Sequence, residues 1–266
     1  MPVNRIDISG ATLGVLDEGA GEPLVFVHGF PLDHTMWQGQ IDVFSSRYRV
    51  LAPDLRGFGA SDVRGETMTM EDFADDLAAM LDALGVGRPI ALCGLSMGGY
   101  IAFRFAAKYA SQLRSLILCD TRAAADSPEA AANRLKMAEQ VLSKGAEVAA
   151  NAMLPKLFGP RTVAERPELP AATRRVIEST KPAAIAAAQR GMAARPDSTA
   201  LLPQIRVPTL VVVGEDDAIA PVAEMRGIAA EISGAEFVVV PAAGHMAPLE
   251  NPTAFNAALE KFLSSN

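Results

Sequence analysis

Short apolar segments recur along the chain, each bounded by polar residues, glycine or proline. Segments with apolar residues at consecutive positions are typical of strands that are buried on both faces of a sheet. The segments Arg5–Ser9 and Thr12–Asp17 instead alternate apolar with polar positions, which predicts a leading hairpin that turns at Gly10. The predicted buried strands are Leu24–Val27, Val50–Leu51, Ile90–Cys93, Leu116–Cys119, Leu210–Val213 and Phe237–Val240.

Helical patterns lie between these strands. Met70–Leu84 carries Glu71 and Asp72 in its first turn, where acidic residues favour a helix start, and its pattern stops at Gly85. The other predicted helices of this kind are Met97–Tyr109, Ala223–Ile232 and Pro252–Leu263. Strands that alternate with helices predict an α/β fold, in which a mostly parallel sheet has helices on both faces.

Residues 121–200 interrupt the alternation of strands and helices. They contain 22 alanines, Phe158 as the single aromatic residue and no segment typical of a strand. Ser127 and Pro128 predict the cap and first turn of a helix that runs to about Gly145. Further helices are predicted at Glu147–Leu154, Ala171–Ser179 and Pro182–Ala194. We therefore expect residues 1–266 to form a single domain with 121–200 as a helical cap, inserted after the strand that ends near Asp120; extra outer helices are the alternative.

Composition and charge narrow the class of protein. The chain has 24 Lys and Arg against 31 Asp and Glu, a net charge of −7, and 50% hydrophobic residues, which excludes a disordered chain. The acidic balance and the lack of long basic runs argue against nucleic-acid binding. Met1–Gly10 does not resemble a secretory signal, and the apolar runs are too short to span a membrane. Cys93 and Cys119 are expected as buried, reduced thiols, and we expect a cytoplasmic protein.

The residues Gly94-Leu95-Ser96-Met97-Gly98 form the strongest chemical motif. A predicted strand leads directly into it and a predicted helix follows directly. Small residues two positions before and after Ser96 allow a tight turn that presents the hydroxyl above the sheet edge, at a helix N-terminus. This context predicts Ser96 as a catalytic nucleophile, and an ordinary glycine-rich turn is the alternative.

A nucleophilic serine needs a base, and the chain has 3 histidines. His245 lies in a loop between the last predicted strand and the last predicted helix, from which its side chain can reach back over the carboxyl ends of the strands. We therefore expect His245 to be the base. His28, at the end of a buried strand, is expected to be structural, and His34, beside Asp33 in the next loop, is expected to be exposed.

The base in turn needs a carboxylate that orients it. The strand Leu210–Val213 is followed by three acidic residues, and Asp217 is the favoured candidate among them. Asp120 is the main alternative because it also follows a buried strand. Asp216 and Glu215 are the remaining alternatives.

An attacked carbonyl develops negative charge, which requires hydrogen-bond donors already in place. The backbone N–H of Met97, at the start of the predicted helix, is one candidate. The backbone N–H of Phe30 is the second, because its loop leaves a strand that neighbours the serine strand. Pro31 keeps Phe30 out of the helical region and helps to fix that amide.

Several motifs together resemble one family. They are His28-Gly29-Phe30-Pro31, Gly94-Leu95-Ser96-Met97-Gly98, Gly214-x-x-Asp217 with Pro221, and Gly244-His245. In this order they resemble an α/β-hydrolase, in which Ser, Asp and His follow one another along the chain. The loop Pro53–Ser61 also resembles a loop of that family, and we expect it to be structural with Arg56 in a hydrogen-bonded corner.

Two stretches, His28–Asp33 and Cys119–Arg122, resemble small bacterial carboxylesterases related to 3-oxoadipate enol-lactonases. The resemblance implies a serine carboxylesterase that hydrolyses small neutral esters through an acyl-enzyme on Ser96, with no cofactor. Enol-lactone hydrolysis is one alternative. A ligand-binding α/β-hydrolase-type receptor with little turnover is another.

The substrate pocket is expected to be mainly apolar, which suits a neutral acyl or alkyl group. Its expected lining is Phe30, Trp37, Met97, Met153, Leu154, Phe158 and Met246. A doubly charged lactone would require a cation, for which Arg122 and Arg134 are candidates, with a surface salt bridge as the alternative. No metal is expected, because the chain has neither a His-Glu-x-x-His nor a paired cysteine motif. The expected partner is a small-molecule ester, and nothing in the sequence indicates an oligomeric state.

Overall fold

The computed structural model describes residues 3–266. Across these residues an eight-stranded sheet runs through the molecule. Its strands, in chain order, are β1 (Asn4–Ile8), β2 (Ala11–Glu18), β3 (Glu22–Val27), β4 (Tyr48–Pro53), β5 (Ile90–Leu95), β6 (Leu113–Cys119), β7 (Thr209–Gly214) and β8 (Glu236–Val240).

The order of strands in the sheet is β1-β2-β4-β3-β5-β6-β7-β8. β2 pairs antiparallel with both β1 and β4, whereas the other neighbouring pairs are parallel. The interior strands are almost continuously buried, as their unbroken apolar runs predict. The predicted α/β fold with a mostly parallel sheet is confirmed. The leading hairpin is also confirmed, and Gly10 at its turn has a φ of +91°, which favours glycine.

The helices complete the alternation with the strands. In chain order they are α1 (Gln38–Phe44), α2 (Met70–Ala83), α3 (Met97–Lys108), α4 (Pro128–Lys144), α5 (Glu147–Leu157), α6 (Pro160–Glu165), α7 (Glu168–Ser179), α8 (Pro182–Ala193), α9 (Val222–Glu231), α10 (Ala247–Glu250) and α11 (Pro252–Ser265). Short 3-10 turns occupy His34–Trp37, Ala110–Gln112 and Thr199–Gln204. No helix within residues 3–266 has the length and apolar character needed to cross a membrane.

Helices α4 to α8 lie between β6 and β7 in the chain, and α4 packs against α8. The predicted start of α4 is confirmed, because the Ser127 hydroxyl accepts a hydrogen bond from the Ala130 N–H and Pro128 lies in the first turn. The expected end of α5 at Leu154 is wrong. The helix continues past Pro155 to Leu157, since a proline near a helix end removes one N–H without stopping the last turn.

The two cysteines lie on neighbouring strands. Cys93 on β5 and Cys119 on β6 are buried free thiols, with their sulfur atoms 3.7 Å apart. Burial, together with the neighbouring thiol, raises the pKa of Cys119 well above its usual range. The expected buried thiols are therefore present.

The parallel strands bring the candidate residues to one edge of the sheet. Ser96 follows β5, Asp120 follows β6, Asp217 follows β7, and His245 lies in the loop after β8. These strands are neighbours in that order. Because they run in the same direction, the four residues lie beyond the same carboxyl edge, where α/β proteins commonly bind ligands.

Candidate active site

Ser96 occupies a turn that only small neighbours allow. Its φ of 55° is unusual for a residue other than glycine. A Cβ atom on Gly94 would lie 2.3 Å from the carbonyl oxygen of Gly98, and one on Gly98 would lie 2.4 Å from that of Val27. The two glycines therefore let the strand, the turn and helix α3 approach one another closely. They also bring the first turn of α3 against the end of β3.

Two hydrogen bonds fix this turn to β6. The backbone N–H of Ser96 donates to the carbonyl oxygen of Cys119 at 2.9 Å. The Thr121 hydroxyl donates to the carbonyl oxygen of Ser96 at 2.7 Å. Thr121 also packs on Gly99, where an added Cβ would lie 2.3 Å from the Thr121 oxygen. The sequence analysis did not assign this role to Thr121, because a threonine after a strand carries no signal of its own.

His245 and Asp217 form a buried pair. The His245 Nδ1 atom lies 2.9 Å from Oδ2 of Asp217. The other carboxylate oxygen, Oδ1, accepts the backbone N–H groups of Ile219 at 2.7 Å and Ala220 at 3.0 Å. Burial alone would raise the pKa of Asp217, but the hydrogen bonds and the attraction to His245 outweigh it and lower that pKa. An ionised Asp217 holds the hydrogen of His245 on Nδ1 and leaves Nε2 free to accept a proton.

The other acidic candidates do not bond to His245. Asp120 is completely buried, and its Oδ1 accepts the backbone N–H of Gly214 at 2.8 Å. Glu215 is exposed and accepts the backbone N–H of Ala242 at 3.0 Å, and Asp216 is also exposed. The structure therefore pairs His245 with Asp217, the favoured candidate. Arg122, two residues after Asp120, bonds to Glu224 and not to Asp120.

Glu250 holds the backbone on both sides of His245. Its Oε1 atom accepts the N–H of Gly244 at 2.8 Å and that of Met246 at 3.2 Å. Its Oε2 atom accepts the N–H of Gly159, between α5 and α6, at 2.8 Å. Glu250 is 6% exposed, so these bonds lie in the interior. The sequence analysis missed this residue, although a lone acid in an apolar stretch directly after the histidine motif was a usable signal.

His28 is structural, as expected. Its Nδ1 atom donates to the carbonyl oxygen of Gly29 at 2.9 Å, and its Nε2 atom accepts the N–H of Leu55 at 3.0 Å. Complete burial is the main cause that lowers the pKa of His28. A neutral imidazole of this tautomer satisfies both bonds and connects the ends of β3 and β4. The expected hydrogen-bonded corner at Arg56 is also present, as its guanidinium bonds to the carboxylate of Asp76.

The expectation that His34 is exposed is wrong. Only 13% of its side chain is exposed, and its Nδ1 atom lies 2.7 Å from Oδ1 of Asp54. Burial lowers the pKa of His34, but the hydrogen bond and charge of Asp54 outweigh it and raise that pKa. The Asp54 carboxylate is buried and also accepts the N–H of Ala60 at 2.8 Å. The apolar pattern could not reveal this pair, because Asp54 lies 20 residues further along the chain, directly after β4.

The two candidate oxyanion donors lie beside Ser96. Met97 is the first residue of α3 and follows Ser96 directly. A Cβ on Gly29 would lie 3.5 Å from the Ser96 Cβ, so the backbone that leads into Phe30 passes next to the serine. The Phe30–Pro31 peptide bond is cis. The role of the Phe30 and Met97 N–H groups as oxyanion donors stays a prediction.

Several expected substrate contacts are corrected by the structure. Trp37 is completely buried between Phe26, at 4.9 Å between ring centres, and Phe255, at 6.1 Å, so it belongs to the core. Arg122 makes two hydrogen bonds of 2.8 Å to Glu224 of α9. Arg134 donates one hydrogen bond, from Nε, to the Asp126 carboxylate. Neither arginine is therefore a free cation. Among the expected apolar residues, Phe30, Met97, Phe158 and Met246 are buried, whereas Met153 and Leu154 are partly buried.

Two side-chain clusters within residues 3–266 have the ligand types and spacing of a metal site. They are Asp33, His34 and Asp54, and Asp120, Asp217 and His245. In each cluster the histidine Nδ1 atom already shares a hydrogen bond with a carboxylate. That hydrogen bond accounts for the close approach of the groups in each cluster.

The geometry can be compared with known proteins. A sequence model of a family described as "alpha/beta hydrolase fold" matches residues 22–252. The chain belongs to the alpha/beta hydrolase fold family. This alpha/beta hydrolase is 32% identical over 263 residues to the AB hydrolase superfamily protein YisY of Bacillus subtilis, covering 96% of each chain.

Two solved structures are especially similar to this alpha/beta hydrolase. A thermophilic esterase from Thermogutta terrifontis, solved with malate bound, is 46% identical with a TM-score of 0.97, over 100% of this chain and 99% of that one. An enol-lactonase from Burkholderia xenovorans is 29% identical with a TM-score of 0.90, over 98% of this chain and 100% of that one. These likenesses support the resemblance to esterases related to enol-lactonases.

Proposed function

We propose that this hydrolase is a serine carboxylesterase that cleaves small neutral carboxylic esters through an acyl-enzyme on Ser96. The hydrogen bond of 2.9 Å between His245 and Asp217 carries the proposal, because it prepares a base at the sheet edge where Ser96 stands. The likeness to an esterase at 46% identity supports the same substrate class.

In the first step the Ser96 oxygen attacks the carbonyl carbon of the ester. The Nε2 atom of His245 takes the hydroxyl proton, and Asp217 stabilises the imidazolium that forms. The carbonyl oxygen becomes negatively charged and accepts hydrogen bonds from the N–H groups of Phe30 and Met97. The bond to the leaving oxygen then breaks, and the departing alcohol receives the proton from His245.

In the second step water attacks the acyl carbon of the ester formed on Ser96. His245 takes a proton from that water, and the same two N–H groups stabilise the oxyanion. Collapse releases the carboxylic acid and returns the proton to the Ser96 oxygen. The reaction needs no cofactor, since one ester and one water give one acid and one alcohol.

The preference for neutral substrates is argued from charge. The candidate apolar lining includes Phe30, Met97, Phe158 and Met246, which are buried in the structure. The two arginines that were candidates for binding a carboxylate are engaged with Glu224 and Asp126. A charged acyl group would therefore enter an apolar site without a free partner, at a desolvation cost.

We also propose that the helices of residues 121–200 act as a cap over this site. The Thr180 hydroxyl, after α7, donates to the carbonyl oxygen of Pro31 at 3.3 Å. The Gly159 N–H donates to Glu250, which holds the His245 loop. The inserted helices thus contact the loop that follows β3 and the glutamate that holds the His245 loop. A cavity of about 100 Å³ separates α7 from the loop that contains Leu32 and Met36.

Enol-lactone hydrolysis is the second candidate, because one similar structure is an enol-lactonase. A screen of short p-nitrophenyl esters beside an enol-lactone distinguishes the two, and we expect faster turnover of the neutral esters. The Arg122→Ala variant sharpens this test. A hundredfold loss of lactone turnover with unchanged ester turnover would favour the lactonase. Product formation that stops at an amount equal to the protein would favour a binding protein with little turnover.

A further inference from the structure

Asp120 is a buried carboxyl group that the proposed mechanism does not use. Its Oδ1 atom accepts the N–H of Gly214, but its Oδ2 atom is buried with no hydrogen-bond partner among residues 3–266. Its φ of 45° lies in the left-handed region, which residues other than glycine adopt uncommonly. An orphaned carboxylate oxygen in the interior is costly and requires an explanation.

The neighbours of Asp120 explain its unpartnered oxygen. An oxygen of Asp120, an oxygen of Asp217 and a nitrogen of His245 all lie within 4.8 Å of one another. Two ionised carboxylates at this separation repel strongly in a buried site, so one of them keeps its proton. Asp217 has three hydrogen-bond donors, from Ile219, Ala220 and His245, whereas Asp120 has only the Gly214 N–H. The proton therefore belongs on Asp120.

We propose that Asp120 is a neutral carboxylic acid whose Oδ2–H group donates a hydrogen bond to the Asp217 carboxylate. Asp120 is then a positioning residue, which holds Asp217 in the orientation that aligns His245. The proposal rests on the proposed function for the role of that pair. A proton on Oδ2 converts the orphaned acceptor into a donor, and His245 then faces one negative charge instead of two.

The electrostatic surroundings of Asp120 agree with a retained proton. Burial, followed by the charge of Asp217, raises the pKa of Asp120 well above its usual range. The other titratable groups that face it are His245, from the loop after β8, and the buried thiol of Cys119. Arg122, two residues further along the chain, bonds to Glu224.

Infrared difference spectroscopy tests the protonation state without turnover. The wild-type minus Asp120→Asn spectrum at neutral pH should contain the carbonyl stretch of a protonated carboxylic acid, which shifts in D₂O. The matched control is Asp216→Asn, which removes an exposed acid two residues after the end of β7. Its difference spectrum should contain only carboxylate bands. Carboxylate bands alone in the Asp120→Asn difference would overturn the proposal. This result does not depend on whether Ser96 is the nucleophile.

Kinetics test the positioning role. Asparagine can accept from Gly214 and donate to Asp217, so Asp120→Asn should keep kcat/KM within about tenfold of the wild type and leave its pH profile in place. Asp120→Leu removes both bonds and should lower kcat by a further 10- to 100-fold or so, with circular dichroism as the check on folding. If Asp120→Asn moved the acidic limb of the pH–rate profile to lower pH, Asp120 would be ionised and the proposal wrong. If the leucine variant does not fold, the infrared result and the asparagine profile decide alone.

Discussion

The His245 imidazole donates from Nδ1 to Oδ2 of Asp217 across 2.9 Å, although 28 residues separate the two along the chain. Neighbouring strands β7 and β8 bring their loops together. The bond fixes the imidazole tautomer that carries its hydrogen on Nδ1. The Nε2 atom of that tautomer can accept a proton. The account of catalysis therefore depends on a carboxylate at position 217.

Asp217→Asn should lower ester turnover by about 10⁴-fold, because an amide favours the wrong imidazole tautomer. The loss should appear in steady-state hydrolysis of a short p-nitrophenyl ester. Asp216→Asn is the matched control, since Asp216 is the exposed neighbour in the same loop, and it should retain its rate. Greater damage in Asp120→Asn than in Asp217→Asn would contradict the assignment of the orienting acid.

Glu250→Gln should reduce kcat by about 10- to 100-fold, since small displacements of a catalytic group carry losses of that size. The two carboxylate oxygens of Glu250 accept hydrogen bonds from the N–H groups of Gly244, Met246 and Gly159. In glutamine an NH₂ group replaces one of these oxygens, so two donors would face each other and at least one of these bonds would be lost. Glu260→Gln provides the control, because Glu260 is a half-exposed acid paired with Arg47 on the surface. Equal kcat values in the two variants would show that Glu250 does not position the His245 loop.

The His34–Asp54 pair should make stability depend on pH. The pKa of His34 is raised in the folded protein, so its contribution is fully present below the unfolded pKa of about 6.5 and is lost as pH rises through the folded value. The His34→Gln substitution should therefore lower the free energy of unfolding by about 1 kcal/mol more at acidic pH than at alkaline pH. This is the difference in strength between a hydrogen bond to a charged group and one to a neutral group. Urea unfolding of wild type and His34→Gln at about pH 5.5 and about pH 9 measures this difference.

The control for that experiment is Arg64→Gln, which removes an exposed cation and should give the same change in the free energy of unfolding at both pH values. A His34→Gln effect that grew with rising pH would mean that neutral His34 is the stabilising form.

Much of the fold follows from local patterns. Continuous apolar runs identify the interior strands, and glycines around Ser96 identify a turn that no larger residue fits, because a Cβ at Gly94 or Gly98 would meet backbone oxygen. The order of strands then brings Ser96, Asp217 and His245 to one edge. The strands and the turn need only information from neighbouring positions in the sequence, whereas the order of the strands depends on pairing between distant segments.

Local patterns do not identify partners that are distant along the chain. Arg122 was a candidate cation with a surface salt bridge as the alternative, and the structure shows that salt bridge, to Glu224, which lies 102 residues later. Trp37 was a candidate pocket residue, yet its ring packs on Phe255 of the last helix. Apolar periodicity indicates which face of a helix or strand is buried. It does not indicate which polar group on another element bonds to a given side chain.

The Ser96→Ala variant tests the central claim most directly. Its steady-state hydrolysis of a short p-nitrophenyl ester should fall by at least about 10⁴-fold, because the hydroxyl that forms the acyl-enzyme is gone. Its circular dichroism spectrum should match that of the wild type, since alanine fits the turn without a new contact. Turnover within about tenfold of the wild type, in a folded variant, would contradict nucleophilic catalysis by Ser96.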